Sequence, residues 1–214
     1  MSEEVLDQIS ENLTQGRAPQ VKELVQKALD EGVDIEQILN NGLVKGMGII
    51  GEKFKRNEVY VPEVLIAARA MNSGMELIKP KLAESGIEAK GTACVGTVKG
   101  DLHDIGKNLV CMMLEGAGYN VVDLGVNVDA QTFVSSAQDH DADVIGMSAL
   151  LTTTMTAMKD TLDALKESGV RDQVKVMVGG APLNQSFCDE IGADGYAADA
   201  ASAVDVANDL IGKN

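Results

Sequence analysis

The sequence predicts an α/β protein in two parts, an antiparallel four-helix bundle followed by a flavodoxin-like or Rossmann-like domain with a five-stranded parallel sheet. Three observations predict it. Through residues 3–84 apolar side chains recur at helical spacing. From residue 92 onward five short apolar runs alternate with five helical patterns. Between them, Glu84-Ser-Gly-Ile-Glu leads to Lys90-Gly91, a polar stretch that reads as a boundary. The expected domains are residues 1–89 and 90–214.

The first helix is expected over 3–15, with Val5, Leu6, Ile9 and Leu13 on one face and a stop near Gly16. Pro19 fits the first turn of a second helix over 19–31, where Val21, Leu24, Val25 and Leu29 share a face and Gly32 ends the run. Asp34 caps a third helix over 35–55. Four glycines lie inside it, Gly42, Gly46, Gly48 and Gly51, each costing about 1 kcal/mol against alanine, so they read as points of close packing. Pro62 opens a fourth helix over 62–84, with Lys79-Pro80 expected to bend or break its end. Short connections between four such helices favour a bundle.

Strands are expected at 92–98, 120–124, 143–148, 174–178 and 194–197. Helices are expected at 104–116, 130–140, 152–168, 184–191 and 200–211. The short second strand, leading into Asp123-Leu-Gly, suits the edge of a sheet ordered 2-1-3-4-5. In such a sheet the ligand crevice lies at the carboxyl ends of the first and third strands. No phosphate-binding GxxxxGK[ST] is present, and no GxGxxG follows the first strand.

Composition narrows the function. Formal net charge is −15 and aromatics make up 3%, which disfavours a nucleic-acid or anionic-membrane partner. Residues 1–90 carry 15 acids against 11 bases, and residues 91–214 carry 18 against 7, so the acidity concentrates in the second half. Cys94, Cys111 and Cys188 form no paired spacing and suit reduced, buried thiols of a cytoplasmic protein rather than a zinc site. The acidic start Met-Ser-Glu-Glu has no apolar run, so neither a leader nor a membrane span is expected.

The loop after the first strand, Gly96-Thr-Val-Lys-Gly-Asp-Leu-His-Asp-Ile-Gly-Lys-Asn108, carries the chemistry. His103 stands between Asp101 and Asp104. A histidine bonded to a carboxylate has a fixed tautomer and a more basic second nitrogen, which suits a metal ligand or a general base. Taken alone, the loop equally fits an exposed histidine between two solvating acids.

Three pieces then line up. Asp101-x-His103-x-x-Gly106 is followed after 41 residues by Ser148-x-Leu150, and after 28 more by Gly179-Gly180. This resembles the cobalamin-binding signature DxHxxG…SxL…GG. With the helical domain before it, the whole chain resembles the corrinoid proteins of methyltransferase systems and the cobalamin module of methionine synthase. Relatives of this kind serve methylamines, methanol or betaines.

The resemblance implies a corrinoid methyl carrier that is not itself a catalyst. It implies a cobalamin or related cobamide, passing between methylcob(III)amide and cob(I)amide, with its own lower base displaced and His103 binding cobalt. Asp101 would hold the other ring nitrogen. Thr154 falls where the family often has a serine that extends this relay. The nucleotide tail would run past Ser148, Leu150, Gly179 and Gly180. Gly100, Leu102, Asp104, Ile105 and Gly106 would line the cobamide, with Thr152, Thr153, Tyr196 and Ala197 on neighbouring loops. The helical domain would act as a cap, Phe54 and Val61 touching the upper face, and a hinge would fall near 85–91. Met71 and Met75 fit either that face or ordinary bundle core. Thr152 and Thr153 fit either the ligand or a helix cap. Lys107 fits a corrin or phosphate contact, or plain solvation. His140 is expected to be solvent-exposed.

The implied partners are a substrate-specific methyltransferase, an acceptor-side methyltransferase acting on a folate or thiol, and a reductive activase. A methylated amine or betaine ranks ahead of methanol as donor. A cobamide-sensing regulatory module is the alternative, disfavoured because no DNA-binding segment fits. The subunit of a carbon-skeleton mutase and a phosphoacceptor domain fit less well, the latter because Asp101 lies in a loop and Ser148 follows the third strand.

Overall fold

The structure is a computed structural model that describes residues 2–85 and 89–212. Residues 86–88, on which the expected hinge falls, lie outside the described residues. The chain divides between residues 89 and 90 into two compact units, residues 116–118 grouping with the first.

The first unit holds α1 (Ser2–Thr14), α2 (Ala18–Asp30), α3 (Ile35–Gln37), α4 (Lys45–Lys55) and α5 (Val61–Ser85). Val5, Leu6, Ile9 and Leu13 of α1 are buried, as are Val21 and Val25 of α2 and Val64, Met71 and Ile78 of α5, so each helix turns its apolar stripe inward. Asp34 caps α3, its carboxylate accepting from the backbone N–H groups of Glu36 and Gln37.

Three local expectations change. The helix over 35–55 is not α-helical throughout, because Ile38–Val44 form a π-helix, closed where Lys45 N–H donates to the carbonyl of Asn40. Its glycines are not alike. A Cβ on Gly42 would stand 3.1 Å from Ile9, and one on Gly46 would stand 3.1 Å from the Ser10 carbonyl, so both mark close packing; one on Gly48 would meet nothing within 4 Å. Pro80 also fails to break α5, which continues to Ser85. A proline inside a helix removes one intrahelical hydrogen bond and crowds the carbonyl four residues before it, and α5 continues past it nonetheless.

The second unit holds β1 (Thr92–Val98), α6 (Ile105–Gly116), β2 (Asn120–Val128), α7 (Ala130–Asp139), β3 (Val144–Ser148), α8 (Thr156–Glu167), β4 (Lys175–Gly179), α9 (Gln185–Ile191), β5 (Gly195–Ala197) and α10 (Ala200–Ile211). All strand pairs are parallel, in the order β2-β1-β3-β4-β5. Alternate strand residues serve opposite faces. Cys94, Val98, Ile145, Met147, Val176 and Val178 form one core cluster with Phe133 of α7, Leu162 of α8 and Cys188 of α9. Buried Leu109 and Leu114 of α6 and Ala203 and Ala207 of α10 stand outside that cluster and supply the other layer. The three cysteines are free and buried, and burial pushes the Cys111 thiol up to about 12 and the Cys94 thiol up to about 11.

β2 runs four residues beyond the expected 124. At Asp123-Leu-Gly, where the strand is expected to end, the chain instead makes an irregularity: Val95 pairs with Asp123 and Gly96 with Gly125, leaving Leu124 extra. Pairing with β1 then continues to Val128.

Candidate functional site

Because every strand is parallel, the loops after β1, β3, β4 and β5 gather at one edge of the sheet. The register places Thr97 opposite Ser148, Ser148 opposite Gly179 and Gly179 opposite Ala197. One row across the sheet therefore joins the last turn of β1 to both later pieces of the sequence signature. The loop carrying Asp101 and His103 leaves from the end of that row.

Asp101 is the hub. Its side chain has no exposure to solvent. Oδ1 accepts from the His103 backbone N–H at 3.1 Å and lies 2.7 Å from His103 Nδ1. Oδ2 accepts from Leu150 N–H at 2.8 Å, from Leu151 N–H at 3.1 Å and from the Thr154 hydroxyl at 2.8 Å. Burial alone would raise the Asp101 pKa. The bonds from His103, Leu150 and Thr154 outweigh it and hold the carboxyl below the usual carboxylate range. Asp101 is therefore an anion, and Nδ1 of His103 carries the proton between them. That leaves Nε2 with its lone pair, on a side chain that is half exposed.

The loop is fixed from further sides. Thr97, fully buried, donates its hydroxyl to the His103 carbonyl at 2.8 Å. Asn127 at the end of β2 donates its N–H to the Asp101 carbonyl at 2.9 Å and accepts from Gly100 N–H at 2.8 Å. Neither Thr97 nor Asn127 stands out in the sequence. Thr97 reads as one more β-branched strand residue, and Asn127 lies between two valines.

Around His103 the surface is apolar. Leu102 is 71% exposed and Ile105 74%, and Leu150 and Leu151, whose N–H groups bond the Asp101 carboxylate, are exposed as well. Gly106 is exposed, and a Cβ built on it meets nothing within 4 Å, so there is open space above the first turn of α6. Gly180 has a different constraint. Its φ is +133°, and an added Cβ would fall 1.9 Å from the Ala149 carbonyl oxygen. Only glycine allows the loop after β4 to close on the loop after β3. Gly179 is tight for the same reason, its Cβ position lying 3.2 Å from the Ala197 carbonyl.

The structure places the other candidates as follows. Thr152 and Thr153 are exposed in a 3-10 turn with Thr154, and α8 has no side-chain cap, so neither threonine caps it. Asp104 is exposed immediately before α6, and Tyr196 is half-buried in β5. Phe54 in α4 and Val61 at the start of α5 are partly exposed; Met71 is buried and Met75 half-buried. His140 is exposed at the end of α7. Lys107 departs from every expectation. It is 2% exposed, and its ammonium is paired with Asp123. Asp123 also accepts from Gly125 N–H at 2.8 Å.

Chemically, the site offers one imidazole nitrogen set in an exposed apolar surface. Among the described residues no group of three or more His, Cys, Asp or Glu can hold a metal ion. A metal at Nε2 would have to bring most of its ligands with it, and the exposed apolar side chains of Leu102 and Ile105 suit a large ring that does so.

Comparison with known proteins agrees with this chemistry. Residues 91–205 match a family described as the B12 binding domain, and residues 5–79 match a second family of the same description. A corrinoid protein of Desulfitobacterium hafniense is 45% identical over 98% of both chains. Trimethylamine corrinoid protein 1 of Methanosarcina acetivorans is 43% identical over 94% of both. The structure of the methanol:cobalamin methyltransferase complex of Methanosarcina barkeri matches at 33% identity with a TM-score of 0.86, covering 99% of this chain and 81% of that one.

Proposed function

The chain belongs to the B12-binding corrinoid proteins of methyltransferase systems, and on that premise we propose that His103 is the lower axial ligand of a cobamide whose own base is displaced. One observation carries the reading: a fully buried carboxylate, Asp101, holds the Nδ1 proton of a half-exposed His103 at 2.7 Å. That bond selects the tautomer in which Nε2 is a donor to metal, and strengthens it.

The bound cobamide supplies the centre that takes up a methyl group and gives it away. The chain's own residues do the rest. His103 offers Nε2. Asp101 keeps the ring in one orientation, with its proton held on the Nδ1 side. Thr154 donates to Asp101 from the opposite side, so the carboxylate cannot turn away. Leu102, Ile105, Leu150 and Leu151 exclude water around the ring. The displaced nucleotide tail would pass Ser148, Leu150, Gly179 and Gly180, a path supported by the pairing of Ser148 with Gly179.

The protein is a methyl carrier and works with a methyltransferase. We read its methyl donor as a methylated amine or betaine, supported by relatives named for tri- and dimethylamine at 43% and 42% identity. An acceptor-side methyltransferase and a reductive activase complete the proposed cycle. A cytoplasmic location is supported by three free buried thiols, and among the described residues no helix is long and apolar enough to cross a membrane.

The test is the electron paramagnetic resonance spectrum of the cobalt(II) form. The wild type should show splitting from one axial nitrogen of the protein, and His103→Ala should lose it while still binding cobamide. Unchanged splitting in the variant would assign the ligand elsewhere.

A further inference from the structure

β2 holds the His103 loop on both sides, and its two grips lie outside the sequence signature. Before His103, Asn127 makes two hydrogen bonds of opposite direction. Its N–H reaches the Asp101 carbonyl at 2.9 Å, and its Oδ1 accepts from Gly100 N–H at 2.8 Å. To do so Asn127 adopts φ +55°, in the left-handed region that an asparagine tolerates better than most residues. After His103, the first turn of α6 sends Lys107 back to Asp123 of the same strand. Thr97 of β1 holds the peptide between them through the His103 carbonyl.

The lysine is the odd choice. It is 2% exposed, and taking an ammonium out of water costs more than a simple ion pair returns. A methionine would pack the same stem without that cost. What methionine lacks is a directional bond from α6 to β2. The irregularity at Leu124 points the same way, since Asp123 also takes the Gly125 N–H at the point where β2 shifts register. A second shift, between Gly96 and Val98 of β1, follows it and completes the path to the far end of β2, with Asn127 on it.

We propose that Asn127 and the Lys107–Asp123 pair are positioning residues that aim His103 at the metal it ligates. Asn127 fixes the backbone of Asp101, whose carboxylate holds the imidazole. The ion pair fixes the helix turn that follows. Both act through the loop that carries His103. The proposal rests on His103 as the axial ligand, and its test separates the two.

Asn127→Gly removes the side-chain acceptor but keeps an easy left-handed backbone, so the fold is not strained. Asn127→Asp keeps an acceptor at the same place. Lys107→Met removes the bond to Asp123, whose half-exposed carboxylate can then be solvated. Each protein is loaded with cobamide and reduced to cobalt(II), and the ratio of nitrogen-ligated to unligated cobalt is read at one pH. Thermal stability of the cofactor-free chain is measured alongside.

Asn127→Gly and Lys107→Met should each lower that ratio about fivefold, what one ordinary hydrogen bond is worth, with thermal midpoints near wild type. Asn127→Asp should restore it. A wild-type ratio in Asn127→Gly and Lys107→Met overturns the positioning role while leaving His103 in place. A ratio that falls only together with the thermal midpoint, and that Asn127→Asp does not restore, also overturns it, because the residues then serve the fold in general. A wild-type spectrum without protein nitrogen overturns the reading of His103 and the positioning role with it.

Discussion

Replacing Asp101 by Asn should uncouple folding from ligation, and the hydrogen bonds say by how much. The carboxylate accepts five bonds, two at Oδ1 from His103 and three at Oδ2 from Leu150, Leu151 and Thr154. An amide of the same shape must present an NH2 to one of these sets. Facing the β3 loop, it confronts the N–H groups of Leu150 and Leu151, leaving two donors without acceptors at about 1–3 kcal/mol each. Facing His103, it orphans only the His103 backbone N–H, while the ring can adapt by moving its proton from Nδ1 to Nε2. The second placement costs the fold less, so it should dominate. It also blocks Nε2 as a ligand. The cofactor-free variant should lose about 1–3 kcal/mol in urea denaturation. Its ligated fraction at cobalt(II) should fall at least about fivefold, the ratio equivalent to about 1 kcal/mol between the two placements. Asp101 has a folded pKa below its unfolded value. Its contribution is therefore complete above the unfolded pKa and disappears as pH falls through the folded one. The stability gap between wild type and variant should hold from pH 5 to 8 and begin to close below about pH 4. A variant of wild-type stability with unchanged nitrogen splitting would refute this account of the hub.

Two more outcomes follow from the same geometry. Thr154→Val should destabilise the cofactor-free chain by about 1 kcal/mol in urea denaturation, the worth of one hydrogen bond, whereas Thr154→Ser, which keeps the hydroxyl, should stay within half of that loss. Gly180→Ala should destabilise the cofactor-free chain by about 3 kcal/mol or more in the same assay, since its Cβ meets backbone at 1.9 Å, while Gly106→Ala should leave that stability near wild type and weaken cobamide binding in equilibrium dialysis.

The order of the elements was legible because the apolar runs of β1, β3 and β4 become largely buried strands, and β1 falls where its run does. The end of β2 was not, because Asp123-Leu-Gly has turn chemistry and the chain uses it for an irregularity inside a strand. The π-helix at 38–44 was hidden for a related reason: one wide turn leaves the apolar spacing of its neighbours intact. At the site, Asp101 and His103 carried a signal because they head a three-piece pattern completed by Ser148-x-Leu150 and Gly179-Gly180. Asn127 carried none, since its role depends on a backbone angle that a valine-flanked asparagine does not announce. Lys107 was misread because a lysine beside a polar loop is ordinarily solvated, and only the packing of α6 on the sheet buries this one.

The three pieces of the signature act on the site by different physical means, which explains why they stand so far apart in sequence. Asp101 and His103 act through side chains. Leu150 acts on Asp101 through its backbone N–H, which any residue except proline could supply, so its side chain is left to form exposed apolar surface. Gly180 makes no bond to Asp101 at all. It lets the β4 loop come against Ala149, the residue before Leu150, where Ala149 N–H also donates to the Gly179 carbonyl at 3.2 Å. That contact sets where the peptides of Leu150 and Leu151 point, and hence where the Asp101 carboxylate is held. The glycine pair thus reaches His103 through a chain of backbone placements, from β4 to β3 to Asp101 to the imidazole. A side chain at Gly180 would disturb the histidine without lying near it, and a polar side chain at Leu150 would leave the carboxylate held as before while changing the surface that faces the ligand.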